Sequence, residues 1–379
     1  MRRGSRIRAL RYSRLRGVRL GPWIWIALAV VLLLIAGAVL IRQTTLQPPL
    51  RQTVPVVCDG DAPTMPAGAP LKVMTWNVQY MAGKNHVFFY DLRDGSGPDE
   101  RPRPDEIALT LSEVARIIRE ENPDVILLQE VDDGAARTDK ADQLASLLEL
   151  LPDTFRCHTS AFYWQAAFVP HPRILGSAGM KLSILSKYRI DNAVRHQLPL
   201  IPADPITQAF SLKRAVLEAT LPQERGDDLT VLNTHLDAFA QGTDTMERQV
   251  REVGEILDGL GRTGRPWVIG GDFNLLPPGG AYGRLPADEQ AYFRPETELA
   301  PLFDAFPSVP SRAEVDGPDY ARWYTHFPNG GPSKGPDRTI DYLFHSPLLS
   351  VGEHYVRGWD TLAISDHLPV VATFTPATR

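Results

Sequence analysis

The chain has 379 residues, of which 43% are hydrophobic and 22% charged, a composition typical of globular proteins. Residues 1–42 contain nine arginines and no acidic residue, which leaves residues 43–379 with 31 basic and 45 acidic side chains and a formal charge of −14. So acidic a body argues against tight, non-specific binding of nucleic acid through a basic surface. It does not exclude a nuclease, because divalent cations can supply the local positive charge.

The first predicted element is a membrane-spanning helix at residues 22–41. The run contains no charged residue, and twenty residues in an α-helix cover about 30 Å, the thickness of the hydrocarbon core of a bilayer. Trp23 and Trp25 lie at one end, where interfacial aromatic residues are common. A cleaved signal peptide is the alternative, with small residues at 36–38, but the length of the run favours an uncleaved anchor.

The charges that flank this run predict its orientation. Residues 1–21 are expected to be a basic cytoplasmic tail, because eight arginines precede the run whereas only Arg42 and Arg51 follow it closely. The expected location is therefore the inner (plasma) membrane, with a single pass and a periplasmic or otherwise extracytoplasmic body. The lipid bilayer is the expected partner of the helix, and no protein partner is predicted.

Residues 42–70 are predicted to be an extended linker, because they contain six prolines and little periodic apolar pattern. The chain has two cysteines, Cys58 and Cys157, which are too few for a disulfide framework. One bridge is expected if the body lies in an oxidising compartment, and two unrelated thiols remain an open alternative.

Residues 71–379 are predicted to form one α/β domain, because strand-like runs alternate with two amphipathic helices. Residues 80–104 are rich in Gly, Pro, Asp and Arg and are expected to form a long loop, a feature often associated with function. The predicted strands are 71–78, 125–128, 182–185, 214–221, 229–232, 267–269, 339–344 and 370–374, and the predicted helices are 106–119 and 246–260.

Polar side chains recur at the ends of these apolar runs, where sheets present residues to a shared crevice. Any one of them is more often a solvated turn residue or a satisfied side chain than a catalyst. Their combination is informative, because carboxylates, amides and imidazoles are the groups that metal-assisted phosphoester hydrolysis requires. The residues are Asn77, Glu130, His235, Asp272, Asn274, Asp341, Asp366 and His367.

At these residues the chain resembles the endonuclease/exonuclease/phosphatase superfamily, also called the DNase I-like fold. The ordered motifs are WNV, LLQEV, LSILSKY, KRAVLEATL, NTHLD, GGDFN, TIDYLF and SDHLPV, which span most of residues 71–379. The resemblance implies a four-layer α/β sandwich, in which two mixed β-sheets face each other and helices lie outside, here preceded by one transmembrane helix.

The resemblance also implies a metal site and a water-activating group. Glu130 looks like the principal ligand of Mg²⁺ or Mn²⁺, with Asn77 and Asp366 as its neighbours on the metal or the phosphate. These residues offer the oxygen ligands that both cations prefer. Asp272 would orient or activate the nucleophilic water, and Asn274 would bind the phosphoryl oxygen in the transition state.

Two histidines complete the implied machinery. His367 would act as base or phosphate ligand, with Asp341 orienting its ring. His235 resembles the acid histidine of DNase I-like and sphingomyelinase-like members, although its carboxylate partner is not evident and Asp237 is only the nearest acid in sequence. Lys181 stands where many members have a glycine, and a surface position is favoured for it over contact with an anionic substrate.

The predicted function is divalent-metal-dependent hydrolysis of a phosphodiester by a membrane-tethered hydrolase, with nucleic acid as one candidate substrate. A sphingomyelinase-like lipid phosphodiesterase that cleaves phospholipid headgroups is the main alternative, favoured by the tether and by the acidity of the body. A non-catalytic binding module on the same fold is a further alternative. The full set of polar residues argues against it, because binding alone does not require them all.

Overall fold

The computed structural model of the chain describes residues 21–89, 91–92, 94–238, 240–329 and 333–376. The chain divides into two compact units, the first ending at Gln43 and the second beginning at Thr44. The predicted basic tail, apart from Gly21, lies outside the described residues.

The first unit contains all but the last residue of one long helix, α1 (Pro22–Thr44), which begins where the sequence predicts and extends three residues further than expected. Among the described residues it is the one helix that is long and apolar enough to cross a membrane. A signal sequence near the N-terminus would satisfy the same criterion. Its apolar side chains are exposed, as expected of a helix that does not pack into a protein core.

The second unit is built on fourteen strands within the described residues. In chain order they are β1 (Arg51–Thr53), β2 (Val56–Cys58), β3 (Leu71–Asn77), β4 (Val125–Asp132), β5 (Cys157–Val169), β6 (Gly176–Ser186), β7 (Asn192–Gln197), β8 (Ala215–Leu221), β9 (Leu229–His235), β10 (Trp267–Asp272), β11 (Ser308–Val309), β12 (Asp341–His345), β13 (Leu349–Val356) and β14 (Val370–Pro376).

These strands form two mixed sheets of seven strands each in the described part of the chain. One sheet has the order β1-β7-β8-β9-β10-β12-β11, and the other has the order β13-β14-β3-β4-β6-β5-β2. Each contains one parallel pair, β9 with β10 and β3 with β4, whereas the remaining neighbours are antiparallel.

Helices of the second unit connect these strands. They are α2 (Pro104–Glu121), α3 (Gln143–Leu148), α4 (Pro205–Phe210), α5 (Thr245–Arg262), α6 (Ala281–Arg284), α7 (Ala287–Gln290), α8 (Ala300–Ala305) and α9 (Arg312–Asp316). The longest two are those predicted from periodicity. Helix α2 ends at Glu121 and is capped by Asn122, which adopts a left-handed conformation (φ 49°) immediately before Pro123.

Successive side chains of the central strands point to opposite faces of each sheet, so that one face packs on the other sheet and the other face packs on helices. In β4, Leu127 faces the other sheet, whereas Ile126 packs in the apolar cluster that includes buried residues of α2. In β10, Val268 faces inward and Ile269 packs in the cluster that includes α5. Burying each such side chain contributes about 1.5–3 kcal/mol, so both faces of these strands favour burial. The predicted four-layer α/β sandwich is confirmed.

The segment before Leu71 differs from the extended linker that the sequence predicts for residues 42–70. Thr45 already forms a bridge with Ala166, β1 pairs with β7 of one sheet, and β2 pairs with β5 of the other. Each of these strands lies at the edge of its sheet. The six prolines all lie outside β1 and β2, in the segments that flank these short edge strands, and the compact unit starts at Thr44.

Strand β2 also carries half of a disulfide. Cys58 lies directly opposite Cys157 in the β2–β5 register, and the two are bonded, with their Cα atoms 4.1 Å apart. The sequence left open whether the two cysteines are paired, and the structure shows that they form a disulfide.

Replacing Cys58 with serine is expected to lower the free energy of unfolding by about 4–5 kcal/mol, because the bond closes a loop with a sequence separation of 99 residues. The measurement is urea unfolding of the full chain in detergent, with and without dithiothreitol. Reductant should shift the wild-type midpoint toward that of Cys58→Ser and leave the variant unchanged. Equal midpoints for the oxidised and reduced wild type would contradict the prediction.

Candidate active site

The predicted site residues meet where the parallel strands of both sheets end. Neighbouring parallel strands present their carboxyl ends at one edge of a sheet. Asn77 is the last residue of β3, His235 is the last of β9, and Asp272 is the last of β10. Asp341 begins β12 and is paired with Asp272 in the antiparallel β10–β12 register. Strand register thus brings residues from distant motifs to one place.

Glu130 reaches the site through an irregularity in β4. The pairing of β4 with β6 shifts register between Leu128 and Val131, and Glu130 has a left-handed backbone (φ 57°). Bulges of this kind re-aim a side chain and are common beside active sites. As a result Gln129 points between the sheets, whereas Glu130 lines the cleft.

Two buried amides join the sheets behind the site. The Nε2 group of Gln129 donates to Oδ1 of Asn233 at 2.7 Å, and Asn233 Nδ2 donates to the carbonyl oxygens of Leu128 (2.8 Å) and Ser183 (2.9 Å). Both amides belong to motifs on which the family resemblance rests. Their contacts are structural, because they hold β4 and β9 in a fixed relation.

The first glycine of the GGDFN motif permits the close approach of the two sheets. A Cβ atom on Gly270 would lie 2.6 Å from Leu343 Cδ2 and 2.7 Å from Leu127 Cδ1. On Gly271 it would lie 2.0 Å from the carbonyl oxygen of Thr234. These glycines allow β10 to pack tightly, which sets the position of Asp272.

The site opens into a cleft of about 750 Å³. Six of the eight predicted residues line it: Glu130, His235, Asp272, Asn274, Asp366 and His367. The other two, Asn77 and Asp341, are each only 1% exposed and contact the cleft residues from behind.

Asn77 connects two carboxylates. Its Nδ2 group donates to Glu130 Oε1 and to Asp272 Oδ2, both at 3.1 Å, while its Oδ1 accepts the backbone N–H of Gln79 at 3.0 Å. This arrangement orients the carboxylates directly. A role for Asn77 as a metal ligand stays a prediction.

His367 is held between two acids. Its Nδ1 lies 2.9 Å from Asp341 Oδ2, and its Nε2 lies 3.5 Å from Asp272 Oδ2. Burial by itself lowers the pKa of His367, but the charges of Asp341 and Asp272 outweigh it and raise the pKa well above the ordinary value. Burial raises the pKa of Asp272 to about 7, against the lowering effect of the His367 charge.

His235 finds its carboxylate partner in Asp272, whose Oδ2 lies 3.3 Å from Nε2. The hydroxyl of Tyr163 lies 3.4 Å from His235 Nδ1. Burial, followed by the charges of Arg214 and His367, lowers the pKa of His235 well below the ordinary value. The nearest acid in sequence serves elsewhere, because Asp237 pairs with Arg214.

A second group of acids in the cleft, Glu130, Asp366 and Asp91, fits a hard divalent cation. Burial and the charge of Asp366 raise the pKa of Glu130. Burial and the charges of Glu130 and Asp366 raise the pKa of Asp91 well above the ordinary value. The ligand atoms of His326, Asp366 and His367 lie within 4.8 Å of one another. Half-buried carboxylates that repel each other, with an imidazole nearby, form a donor set suited to Mg²⁺ or Mn²⁺.

Several cleft residues were not predicted from the sequence. They are Asp91, Arg214 and His326, all of which line the cleft, together with Tyr163 beside His235. Asp91 and His326 lie in irregular segments, where apolar periodicity gives no signal. Arg214 stands in the KRAVLEATL motif, immediately before β8, and its place at the start of that apolar run was the available signal.

Lys181 corrects one prediction. It is 5% exposed rather than on the surface, and its Nζ lies 2.9 Å from both Asp133 Oδ2 and Asp142 Oδ1. It does not line the cleft. Two carboxylates satisfy the buried ammonium group, so the lysine joins β6 to the segment that follows β4.

Comparison with known proteins gives one family and a shared fold. The sequence profile of the endonuclease/exonuclease/phosphatase family matches residues 74–367. A search of curated proteins found no match. A solved endonuclease/exonuclease/phosphatase from Beutenbergia cavernae DSM 12333 is similar at 24% identity, with 81% of this chain and 72% of that chain covered and a TM-score of 0.54. The catalytic domain of human Nocturnin with a bound sulfate anion is similar at 17% identity, with 87% and 99% covered and a TM-score of 0.51.

Proposed function

Because the chain belongs to the endonuclease/exonuclease/phosphatase family, whose members generally hydrolyse phosphoester bonds, we propose that it is a membrane-held, divalent-metal-dependent phosphodiesterase. One observation carries the proposal: a single cleft combines Glu130 and Asp366 with two histidines, each beside a buried carboxylate. Burying such charges is unfavourable unless they are paired or neutralised, so their assembly in one cleft indicates a functional site, and a binding module has no need of them all.

Glu130 and Asp366 are the proposed ligands of Mg²⁺ or Mn²⁺. Asn77 orients the Glu130 carboxylate through its 3.1 Å hydrogen bond. His326 Nε2 lies 3.9 Å from Asp366 Oδ2 and is a further candidate ligand. When bound, the cation would withdraw charge from the phosphoryl oxygen and favour attack on phosphorus.

Asp272 is the proposed acceptor of the proton from the attacking water. Its pKa, raised by burial to about 7, suits a general base near neutral pH. The backbone N–H of Asn274 donates to its Oδ1 at 2.9 Å, which fixes the carboxylate. The side-chain amide of Asn274 donates to the carbonyl oxygen of Leu236 at 3.0 Å and retains a second proton for a phosphoryl oxygen.

One histidine is proposed to stabilise negative charge on the phosphoryl group, and the other to protonate the leaving oxygen. His367, held as a cation by Asp341, would stabilise negative charge on the phosphoryl group. His235 would give a proton to the leaving oxygen. Although burial keeps it neutral in the ligand-free protein, an anionic phosphoryl group beside it would raise its pKa and allow it to carry that proton.

The cleft composition bears on the substrate. Acids that line it include Asp91, Asp94, Asp237 and Glu289 in addition to the proposed ligands and base. Such a lining disfavours a long polyanion without many bound cations. We therefore propose a compact phosphodiester, such as that of a phospholipid, as a substrate class beside nucleic acid.

The disulfide supports an extracytoplasmic location of the second unit. Disulfides persist in oxidising compartments and are rare in the cytosol, and the arginine-rich N-terminus favours the same orientation. We propose that α1 is an uncleaved anchor. Reporter fusions placed after residue 60 would be active outside the cytoplasm, and cytoplasmic activity would overturn this orientation.

The function is tested with the full chain in detergent, with Mg²⁺, Mn²⁺ or EDTA. The substrates are supercoiled DNA, bis-p-nitrophenyl phosphate and mixed phospholipid vesicles. We expect metal-dependent turnover that falls by about 10²–10⁴-fold in His235→Ala. His196→Ala is the matched control, because His196 also pairs with a carboxylate, Glu218 at 2.8 Å, outside the cleft. A folded wild type without turnover on all three substrates would contradict the proposal.

A further inference from the structure

Arg214 brings a buried positive charge to the cleft beside His235. It immediately precedes β8, and its side chain is 7% exposed. It lines the same cleft as Glu130, His235 and Asp272. The roles proposed above give this cation no function.

The position of the guanidinium is fixed from behind. Its Nε donates to Asp237 Oδ1 at 3.2 Å. Asp237 is fixed in turn by Gln249 of α5, whose Nε2 donates to Asp237 Oδ2 at 2.7 Å and whose Oε1 accepts the backbone N–H of Asp237 at 3.0 Å. The ring centroid of Tyr163 lies 5.2 Å from Arg214 Cζ. The side chain is therefore preorganised rather than free to turn toward solvent.

One end of the guanidinium lacks a protein acceptor. Arg214 Nη1 is buried and makes no hydrogen bond. A guanidinium has five N–H donors, and leaving donors on a buried cation unsatisfied is unfavourable. A group that enters the cleft and accepts hydrogen bonds would relieve this cost, and an anionic oxygen would do so best.

Two other buried arginines each lack one of the two features that Arg214 combines, which are an unsatisfied donor and a position in the lining of the cleft. Arg195 also has a buried Nη1 without a hydrogen bond, but it does not line the cleft. Arg338 does line the cleft, but it pairs with both Asp337 and Glu289, at 2.6 and 2.8 Å. Arg214 combines the unsatisfied donor with access to the reacting groups.

We propose that Arg214 binds an anionic phosphoryl oxygen of the substrate through its guanidinium group, on the side of the cleft where His235 acts. The inference rests on the proposed phosphodiesterase function and adds a protein-supplied phosphate subsite that does not require the metal. Arginine suits this task because its planar fork matches the oxygens of phosphate and its charge persists at all relevant pH values. Asp237 and Gln249 are the positioning residues of this subsite.

The test measures binding of inorganic phosphate to the full chain in detergent with EDTA, by isothermal titration calorimetry. Arg214→Gln is expected to raise the Kd by about 10- to 100-fold, the effect of losing a charge-assisted hydrogen bond. Arg214→Lys, which keeps the charge but lacks the fork, should give an intermediate Kd. Arg195→Lys is the control that matches burial and the open Nη1, and its Kd should equal that of the wild type.

Thermal unfolding of each variant reports whether it folds. If Arg214→Gln does not fold, phosphate binding by Arg214→Lys and Asp237→Asn tests the proposal instead. Asparagine keeps an oxygen that accepts the hydrogen bond from Arg214 Nε and removes a negative charge next to the anion, so Asp237→Asn should tighten phosphate binding. An unchanged Kd in folded Arg214→Gln, or in both of the other variants, would overturn the proposal. So would the absence of phosphate binding by the wild type at millimolar concentrations.

The phosphate assay also separates this inference from the proposed function. Arg214-dependent phosphate binding without cleavage of any phosphodiester would leave the subsite in place and reject the phosphodiesterase. Metal-dependent cleavage, together with phosphate binding that is unchanged in Arg214→Gln, would support the phosphodiesterase and reject the subsite. A kinetic readout with bis-p-nitrophenyl phosphate and Mn²⁺ adds to this, because Arg214→Gln should lower kcat/KM whereas Arg195→Lys should not.

Discussion

Replacing Glu130 with glutamine is expected to lower kcat/KM by about 10³-fold, because the proposed principal metal ligand loses its charge. Glutamine has nearly the same shape, and its Oε1 can still accept the 3.1 Å hydrogen bond from Asn77. The fold should therefore survive. The measurement is turnover as a function of Mn²⁺ concentration, together with Mn²⁺ binding followed by electron paramagnetic resonance, which should be lost in the variant.

The same substitution is expected to stabilise the protein in EDTA. Burial and the charge of Asp366 raise the pKa of Glu130, so the folded state binds this proton more tightly than the unfolded state does. Ionisation of Glu130 therefore costs stability as the pH rises above the ordinary range of a glutamate. The neutral glutamine avoids that cost, and its melting temperature in EDTA at neutral pH should exceed that of the wild type.

Added metal should reverse this order. A cation present at a hundredfold excess over its Kd stabilises the wild type by about 2.7 kcal/mol, and Glu130→Gln should gain little. Glu298→Gln is a matched control, because burial also raises the pKa of Glu298 but that residue does not line the cleft. Metal-dependent stabilisation of equal size in Glu130→Gln and wild type would exclude Glu130 as a principal ligand.

Replacing Asp341 with asparagine is expected to lower kcat by about 10²–10⁴-fold. Asp341 holds Nδ1 of His367 at 2.9 Å and supplies much of the charge that keeps the imidazole protonated. An asparagine amide can donate to Nδ1, which would favour the wrong tautomer, and it carries no charge. Steady-state turnover of Asp341→Asn, His367→Gln and the double variant measures the coupling.

The double variant should lose no more activity than His367→Gln alone, because the two residues are proposed to act as a unit. Losses that multiply would show that Asp341 acts independently of the histidine.

The pH profile of Asp341→Asn gives a second readout. The charge of Asp341 raises the pKa of His367, so the asparagine variant should have a lower pKa at this ring. A histidine that works as a cation loses activity as the pH rises through its pKa. The alkaline limb of kcat should therefore move to lower pH. A shift of the acid limb instead would assign His367 the role of a base.

Local sequence patterns were sufficient to predict an α/β domain behind an apolar N-terminal helix, and the four-layer sandwich followed from the family resemblance of its motifs. Continuous apolar runs in β4 and β10, and helical periodicity in α2 and α5, are properties of neighbouring residues that hold before any tertiary contact forms. The same holds for the apolar run that becomes α1. Motif residues at strand ends, such as Asn77 and Asp272, were predictable because parallel strands deliver their carboxyl ends to one place.

Tertiary structure alone decided which residues meet. The pairing of His235 with Asp272 rather than Asp237 follows from the register between β9 and β10. The Cys58–Cys157 bond follows from pairing of two strands far apart in sequence, and it requires the supposed linker to add strands to both sheets.

Local sequence patterns also could not predict the direction in which individual side chains point. Glu130 enters the cleft through a register shift in β4, and Arg214 faces it because Asp237 and α5 hold the guanidinium from behind. Periodicity is set by each residue and its neighbours along the chain. Contacts of this kind depend on the register and packing of segments that the sequence places far apart, so only the folded chain determines them.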